Sequence, residues 1–423
     1  MPVKNWIDWF IGGFLVLLTP LFLFPSPRWL WVLLVVPVLL AFRGFIKGRI
    51  VERTPFDGPI LLLLFQIFMT CFIVPDIEMS LSKITGAIFG ILVFYALAAL
   101  LKTRQRLKIG LLAFVAGGTL FSVIGFLGMF TMRVKGLPLL TSVKDNLPHL
   151  NFGLPGAEEG FQTNAVGGTL VLFLPLIYVV FLNSALKKPD RYGLDLIHRN
   201  WAVYLFAGFA FVGTFVLLMT QSRGSWAGFL LAVGLIVLLH LPAGVPRRAY
   251  GALYFIGVAA AFIFGYFSLA RTSQLPLPTI ELSDKFTSRT VLWSFGLDTI
   301  AAHPWTGIGL NQVRYDPSVG YQTAHLHNHY LHTAAELGVP ALCALLAIMF
   351  GAGVLCFRIW RGASSRRIGW GALGLAAGLA ANAVFGIADS IPIGTRPGFI
   401  FWVSLALING LYESARRSER VRV

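Results

Sequence analysis

Apolar residues in this chain gather into twelve long runs, at about 6–24, 28–42, 57–75, 80–101, 109–131, 165–185, 201–220, 226–241, 250–269, 333–357, 369–388 and 397–412. Polar and charged residues are largely confined to the connections. A helix rises about 1.5 Å per residue, so runs near 20 residues match the hydrocarbon core of a bilayer. The pattern predicts an all-α polytopic membrane protein of about 12 transmembrane helices, with residues 1–423 forming a single integral membrane domain. The first run follows Lys4 and is closed by Pro25-Ser26-Pro27, without a small-residue cleavage pattern. It reads as a retained span rather than a removed signal peptide. Most connections are short; the exceptions are 132–164 and 270–332, and long ordered loops usually carry function.

Composition narrows the class. With 57% hydrophobic residues, 12% charged residues and a mean hydropathy of +0.76, the chain is neither a soluble enzyme nor a disordered polymer. An outer-membrane barrel is excluded too, because its strands alternate in polarity. A net charge of +16 would suggest nucleic acid in a soluble protein, but in a membrane protein the distribution of Lys and Arg matters more. Taking alternate connections, one side holds Arg28, Lys83, Arg133, Lys135, Lys144, Arg223, Arg271, Lys285, Arg289, Arg314 and Arg396, which are 11 of the 34 basic residues, and the other side holds 23. The positive-inside rule puts the richer side, with both termini, in the cytoplasm of an inner-membrane protein and both long loops outside. Cytoplasmic connections are too short for a nucleotide-binding domain and lack a G-x-x-x-x-G-K-[ST] signature, so chemistry is expected to face outward without ATP. Cys71, Cys343 and Cys356 lie within apolar runs and read as core residues.

External cations run against the topological bias and need a reason. Arg223 stands in Thr220-Gln221-Ser222-Arg223-Gly224-Ser225-Trp226, where one span ends and the next begins almost without a loop. Arg289, in Thr287-Ser288-Arg289-Thr290-Val291-Leu292-Trp293, opens a helix-like stretch of the large loop. Two planar guanidiniums converging on a diphosphate make bidentate, charge-assisted contacts and stabilise a departing pyrophosphate without a metal. Arg133, in the first long loop, is a weaker candidate for substrate contact. Four of the eight histidines fall in Ala324-His325-Leu326-His327-Asn328-His329-Tyr330-Leu331-His332. At helical spacing His325, His329, His332 and Glu336 share a face, which admits a zinc reading. A histidine, with its ordinary pKa near neutrality, is better suited to take a proton from a sugar hydroxyl. Asp389, at the end of an apolar span, is expected to pair with an arginine or orient substrate, and Asp316 to be a turn residue. No clustered acidic motif suggests a Mg²⁺ clamp, so neither metal nor cofactor is expected.

Arg289-x-x-x-Trp293, His303-Pro304-Trp305-Thr306-Gly307-Ile308-Gly309-Leu310 and His327-Asn328-x-Tyr330-Leu331-x-x-x-x-Glu336-Leu337-Gly338 together resemble the large periplasmic loop of the O-antigen ligase/polymerase superfamily. Asn164 opening an apolar span and the Gln221-Ser222-Arg223-Gly224 turn are similar to the family's other features. The resemblance implies a fold related to the GT-C glycosyltransferases. It implies transfer of a glycan from an undecaprenyl-diphosphate donor to a sugar hydroxyl of lipid A–core at the periplasmic face, inverting and without metal. The family's loop arginine then falls on Arg289 and its membrane-edge arginine on Arg223. Its essential histidine falls on His327, with His325 and His329 close by in the run; Asn328 and Asp389 are substrate-binding candidates. An O-antigen polymerase would use the same donor. A transporter or flippase of lipid-linked sugars also fits twelve spans, but predicts charge near the bilayer midplane, where these runs are nearly uncharged.

Overall fold

The computed structural model describes residues 6–129, 142–143, 145–154, 157–158, 160–185, 201–240, 246, 249–251, 253–254, 257, 281–316, 325–362 and 366–420. Eleven of the twelve runs are helical; the run at 250–269 and Arg133 lie largely outside the described residues. The helices are α1 (Trp6–Leu23), α2 (Val35–Lys47, preceded by the 3-10 helix Pro27–Leu34), α3 (Asp57–Ile73), α4 (Ile77–Leu100), α5 (Arg104–Gly128) and α6 (Thr163–Ala185). They continue with α7 (Trp201–Met219), α8 (Arg223–His240), α9 (Glu281–Ala302), α10 (His329–Gly362), α11 (Arg366–Ala388) and α12 (Phe399–Arg420). Among the described residues, nine helical segments are long and apolar enough to cross a membrane, and α3 and Arg223–Leu239 are shorter apolar helices. No sheet forms among them; the only β pairings are isolated bridges, such as Met129 with Phe161. The protein is an all-α polytopic membrane protein.

α6 is the axis of the bundle, buried over most of its length and packed against α5, α7, α8 and α11. Between lipid-embedded helices there is little hydrophobic drive to associate, so small residues that permit close backbone approach mark the tight interfaces. Gly228 of α8 and Gly378 of α11 meet backbone: a Cβ would lie 2.3 Å from the Ala381 carbonyl oxygen in the first case and 2.6 Å from that of Leu172 in the second. Apolar side chains such as Phe45, Tyr204 and Phe350 point away from the protein, as lipid-facing residues do. The same exposure corrects the cysteine reading. Cys356 is buried, whereas Cys71 and Cys343 are exposed, because an apolar span has an outer face that meets lipid rather than protein.

The two ends of the bundle differ in chemistry. At one end Arg43 donates to Asp8 (2.9 Å) and Glu52 (2.6 Å), Lys102 pairs with Glu52 at 2.7 Å, and Arg417 donates to the Lys102 carbonyl. Burial works to raise the Glu52 carboxyl, but its bond and charge interaction with Lys102, with Arg43 and Arg49 adding, hold it below its ordinary value. At the other end, the start of α6, the start of α8, the start of α10 and the end of α11 converge beneath the large loop.

The described part of that loop, 281–316 and 325–332, is docked on the bundle. α9 begins at Glu281, two turns before Arg289, and buries Leu292 with Phe295 and Ile300 beside Leu326, Leu331 and Val313. The following segment crosses a break in α10. Gly338 has φ 81° and ψ 168°, and Pro340 lacks the N–H that would bond the Glu336 carbonyl. The loop replaces the lost bonds: Ile308 N–H donates to the Ala335 carbonyl (3.0 Å), Gly309 N–H to that of Glu336 (2.8 Å), and Val339 N–H to that of Pro304 (2.8 Å). Ser80 donates to the Leu310 carbonyl (2.6 Å) and Asn311 to that of Met79 (2.7 Å), tying the loop to α4. The His303–Leu310 motif is therefore, in this fold, the splint of a broken helix.

Candidate active site

Asp389 terminates α11 and is the hub of the cluster. Its Oδ1 lies 3.2 Å from His327 Nδ1 and 3.7 Å from His325 Nε2, and it also accepts the Ser390 N–H at 2.8 Å. Its Oδ2 accepts from Asn164 at the start of α6. Burial works to raise this carboxyl, yet the His327 bond, the two imidazoles and the Ser390 N–H outweigh it and hold Asp389 below its ordinary value. It is an anion, so the imidazole nitrogen facing it carries the proton. His327 is thereby set as the Nδ1–H tautomer, with the Nε2 lone pair free.

The neighbouring histidine is set by a different contact. His327 N–H donates to His325 Nδ1 at 3.2 Å, which places the His325 proton on Nε2, toward Asp389. Burial drives His325 down to about 3 despite the nearby Asp389 charge, so it is neutral at pH 7. The side chain of His327 is 30% exposed against 12% for His325 and 4% for Asp389. Of the pair that contacts Asp389, His327 is the more open to solvent. Its backbone has φ 51°, a left-handed turn uncommon outside glycine, which folds the segment back toward α11.

The helical-face zinc reading is not realised. α10 starts at His329, not before it: Asn328 Oδ1 accepts the N–H groups of Tyr330 (3.1 Å) and Leu331 (2.9 Å), capping the helix. His325 and His327 therefore lie in irregular backbone. His329 instead meets Ser390 Oγ at 3.2 Å, and His332 pairs with Glu336 at 3.2 Å. One ligand atom each from His325, His327 and Asp389 lie within 4.8 Å of one another. The Asn328 amide also donates to the Ile387 carbonyl (3.3 Å), so its polar atoms serve the helix start and α11.

Arg223 is the first residue of α8 and is exposed. The next residue packs on the end of α11; a Cβ at Gly224 would be 3.3 Å from that of Ala388. This places the start of α8 directly beside Asp389. Arg289 is half-buried on α9, one turn before Trp293, whose indole N–H donates to the Leu326 carbonyl at 3.0 Å between the two site histidines. Among the described residues neither arginine forms an ion pair.

Two features go beyond the sequence reading. Asn164, marked there only as opening an apolar span, and Ser390 join the site through contacts across 225 and 61 positions that no local pattern encodes. Lys83 and Glu336 form a buried pair at 3.4 Å between α4 and α10, with His332 beside both. The spans are not free of charge, and the signal was present: a lysine and a glutamate inside apolar runs are costly unless paired with each other. Both lie about 10 Å from their helix starts, under the loop rather than at the midplane.

A family model described as O-antigen ligase matches residues 206–346, a segment that contains Arg223, Arg289 and the whole histidine run. No curated protein matches the chain.

Proposed function

We propose, from the match of residues 206–346 to a family model described as O-antigen ligase, that the protein transfers a glycan from undecaprenyl diphosphate to a sugar hydroxyl of lipid A–core at the periplasmic face of the inner membrane. The observation that carries this reading is the contact of His327 Nδ1 with ionised Asp389, which leaves the Nε2 of a half-open imidazole as a proton acceptor. The acceptor hydroxyl approaches from the loop side. His327 takes its proton as the oxygen attacks the anomeric carbon, and Asp389 stabilises the imidazolium that forms. Displacement from the opposite face expels the lipid diphosphate with inversion. Arg223, at the start of α8, and Arg289, on α9 one turn before Trp293, both without an ion pair among the described residues, receive the developing charge with bidentate contacts. The N-terminus of α8 adds a positive helix end beside Arg223.

The donor already stores the energy of transfer, so neither ATP nor a cofactor enters, and transfer is expected to persist in excess EDTA. Deleting the gene and resolving the lipopolysaccharide tests the assignment. A ligase mutant has bare core and accumulates polymerised carrier-linked glycan. Core bearing a single repeat would instead identify a polymerase, and carrier-linked units trapped on the cytoplasmic side a flippase.

A further inference from the structure

The three side chains that make the proposed base also form a ligand set of another kind. An ion with tetrahedral bonds of about 2.0–2.2 Å needs its ligand atoms about 3.3–3.5 Å apart. The His327–Asp389 separation of 3.2 Å and the His325–Asp389 separation of 3.7 Å already bracket that edge. The third edge lies within 4.8 Å and connects two residues in irregular backbone just ahead of the α10 cap, where a small closure disturbs no helix. Two imidazole nitrogens and one carboxylate oxygen are a donor set for zinc-class ions, whereas magnesium and calcium demand oxygen. Asn164 on the other oxygen of Asp389 supplies the outer partner that orients a ligating carboxylate. His327 opens the site to solvent while His325 and Asp389 line its inner wall.

We propose that His325, His327 and Asp389 form an inhibitory site for a divalent zinc-class ion, a regulation that rests on His327 being the base. The ion binds His327 at Nδ1 and the displaced proton moves to Nε2. That atom then donates, and it can no longer accept the hydroxyl proton. His325 binds through Nε2; its proton moves to Nδ1, which gives up the bond from His327 N–H. Both rings stay neutral, Asp389 keeps its charge, and no proton is gained or lost overall. Water fills the fourth position.

The test uses the full chain in lipid nanodiscs, with Co²⁺ as spectroscopic probe and Zn²⁺ as inhibitor. Co²⁺ is expected to give the intense visible bands of a four-coordinate ion, which Zn²⁺ abolishes. Micromolar Zn²⁺ is expected to stop transfer, EDTA to restore it, and Mg²⁺ to do neither. His325→Ala and Asp389→Asn should lose the cobalt bands. In case either variant fails to fold, His325→Cys should keep cobalt bound and add a thiolate charge-transfer band. Absence of both cobalt bands and zinc inhibition overturns the metal site and leaves the general base standing. Cobalt bands accompanied by faster transfer with Zn²⁺ overturn the inhibition and the general-base reading together. Undiminished zinc inhibition in a folded His325→Ala protein puts the ion elsewhere and overturns the proposal.

Discussion

A single imidazole carries most of the chemistry argued above, and its tautomer is set by one carboxylate. His327→Ala is expected to lower turnover by roughly 10²–10⁴-fold, the usual range for loss of a general base, with donor binding little changed. Asp389→Asn keeps the shape but removes the charge that fixes Nδ1–H, so turnover should fall in the same direction. Single-turnover kinetics at matched expression measures both; an active His327→Ala protein would sink the general-base reading. Arg289→Lys preserves charge and loses the planar fork. It is expected to impair transfer, and a lysine variant with unaltered rate would mean the diphosphate is held elsewhere. At this scale the sequence was informative about residue type and poor about partners. His327, Arg223 and Arg289 stand in motifs that can be read locally. The partners of Asn164 and Ser390 cannot be, because they arise only when α6 and α10 meet the end of α11.

Among the elements, α10 shows how a loop motif and a helix break make one structure. Gly338 occupies a conformation open essentially to glycine alone, and a Cβ there would lie 2.5 Å from the Trp305 carbonyl oxygen. Gly338→Ala is expected to cost at least about 1–3 kcal/mol from backbone strain, and to release the 303–310 segment from α10. Thermal unfolding in detergent, together with proteolysis of the loop, measures this; an unchanged melting point and cleavage pattern would refute the splint. The glycines of His303-Pro304-Trp305-Thr306-Gly307-Ile308-Gly309 were legible in sequence as a motif, but not as hydrogen-bond replacements for a helix 30 residues away. A periodicity argument sees apolar spans and cannot see which carbonyls a kink will strand.

For the whole molecule, the asymmetry of charge between the two ends leads to two further expectations. A reporter fused within 270–325 should be periplasmic and one at 358–367 cytoplasmic; the reverse result would invert the orientation and displace the proposed chemistry to the wrong face. The Asp8–Arg43–Glu52–Lys102 network should make stability pH-dependent. Glu52 is held below its ordinary value in the fold, so its contribution is present above the unfolded value of about 4.3 and is lost as pH falls through the folded one. The melting-temperature gap between wild type and Glu52→Gln, measured in detergent, should therefore be wide at pH 7 and close on acidification. A gap that persisted unchanged at low pH would show that packing, not ionisation, is what the substitution removes.

The sequence by itself determined the class and most span positions. These follow from a local constraint: a backbone in hydrocarbon must satisfy its own hydrogen bonds, so spans are written as continuous apolar helices. Tertiary structure alone decided which histidines face Asp389. The pattern placed His325, His329 and His332 on one helical face. The Asn328 cap started α10 later and left His325 and His327 in a turned segment that reaches Asp389. It also decided that Lys83 and Glu336 neutralise each other between α4 and α10. Pairings of this kind depend on distances between helices far apart in the chain, and no local pattern of polarity encodes them.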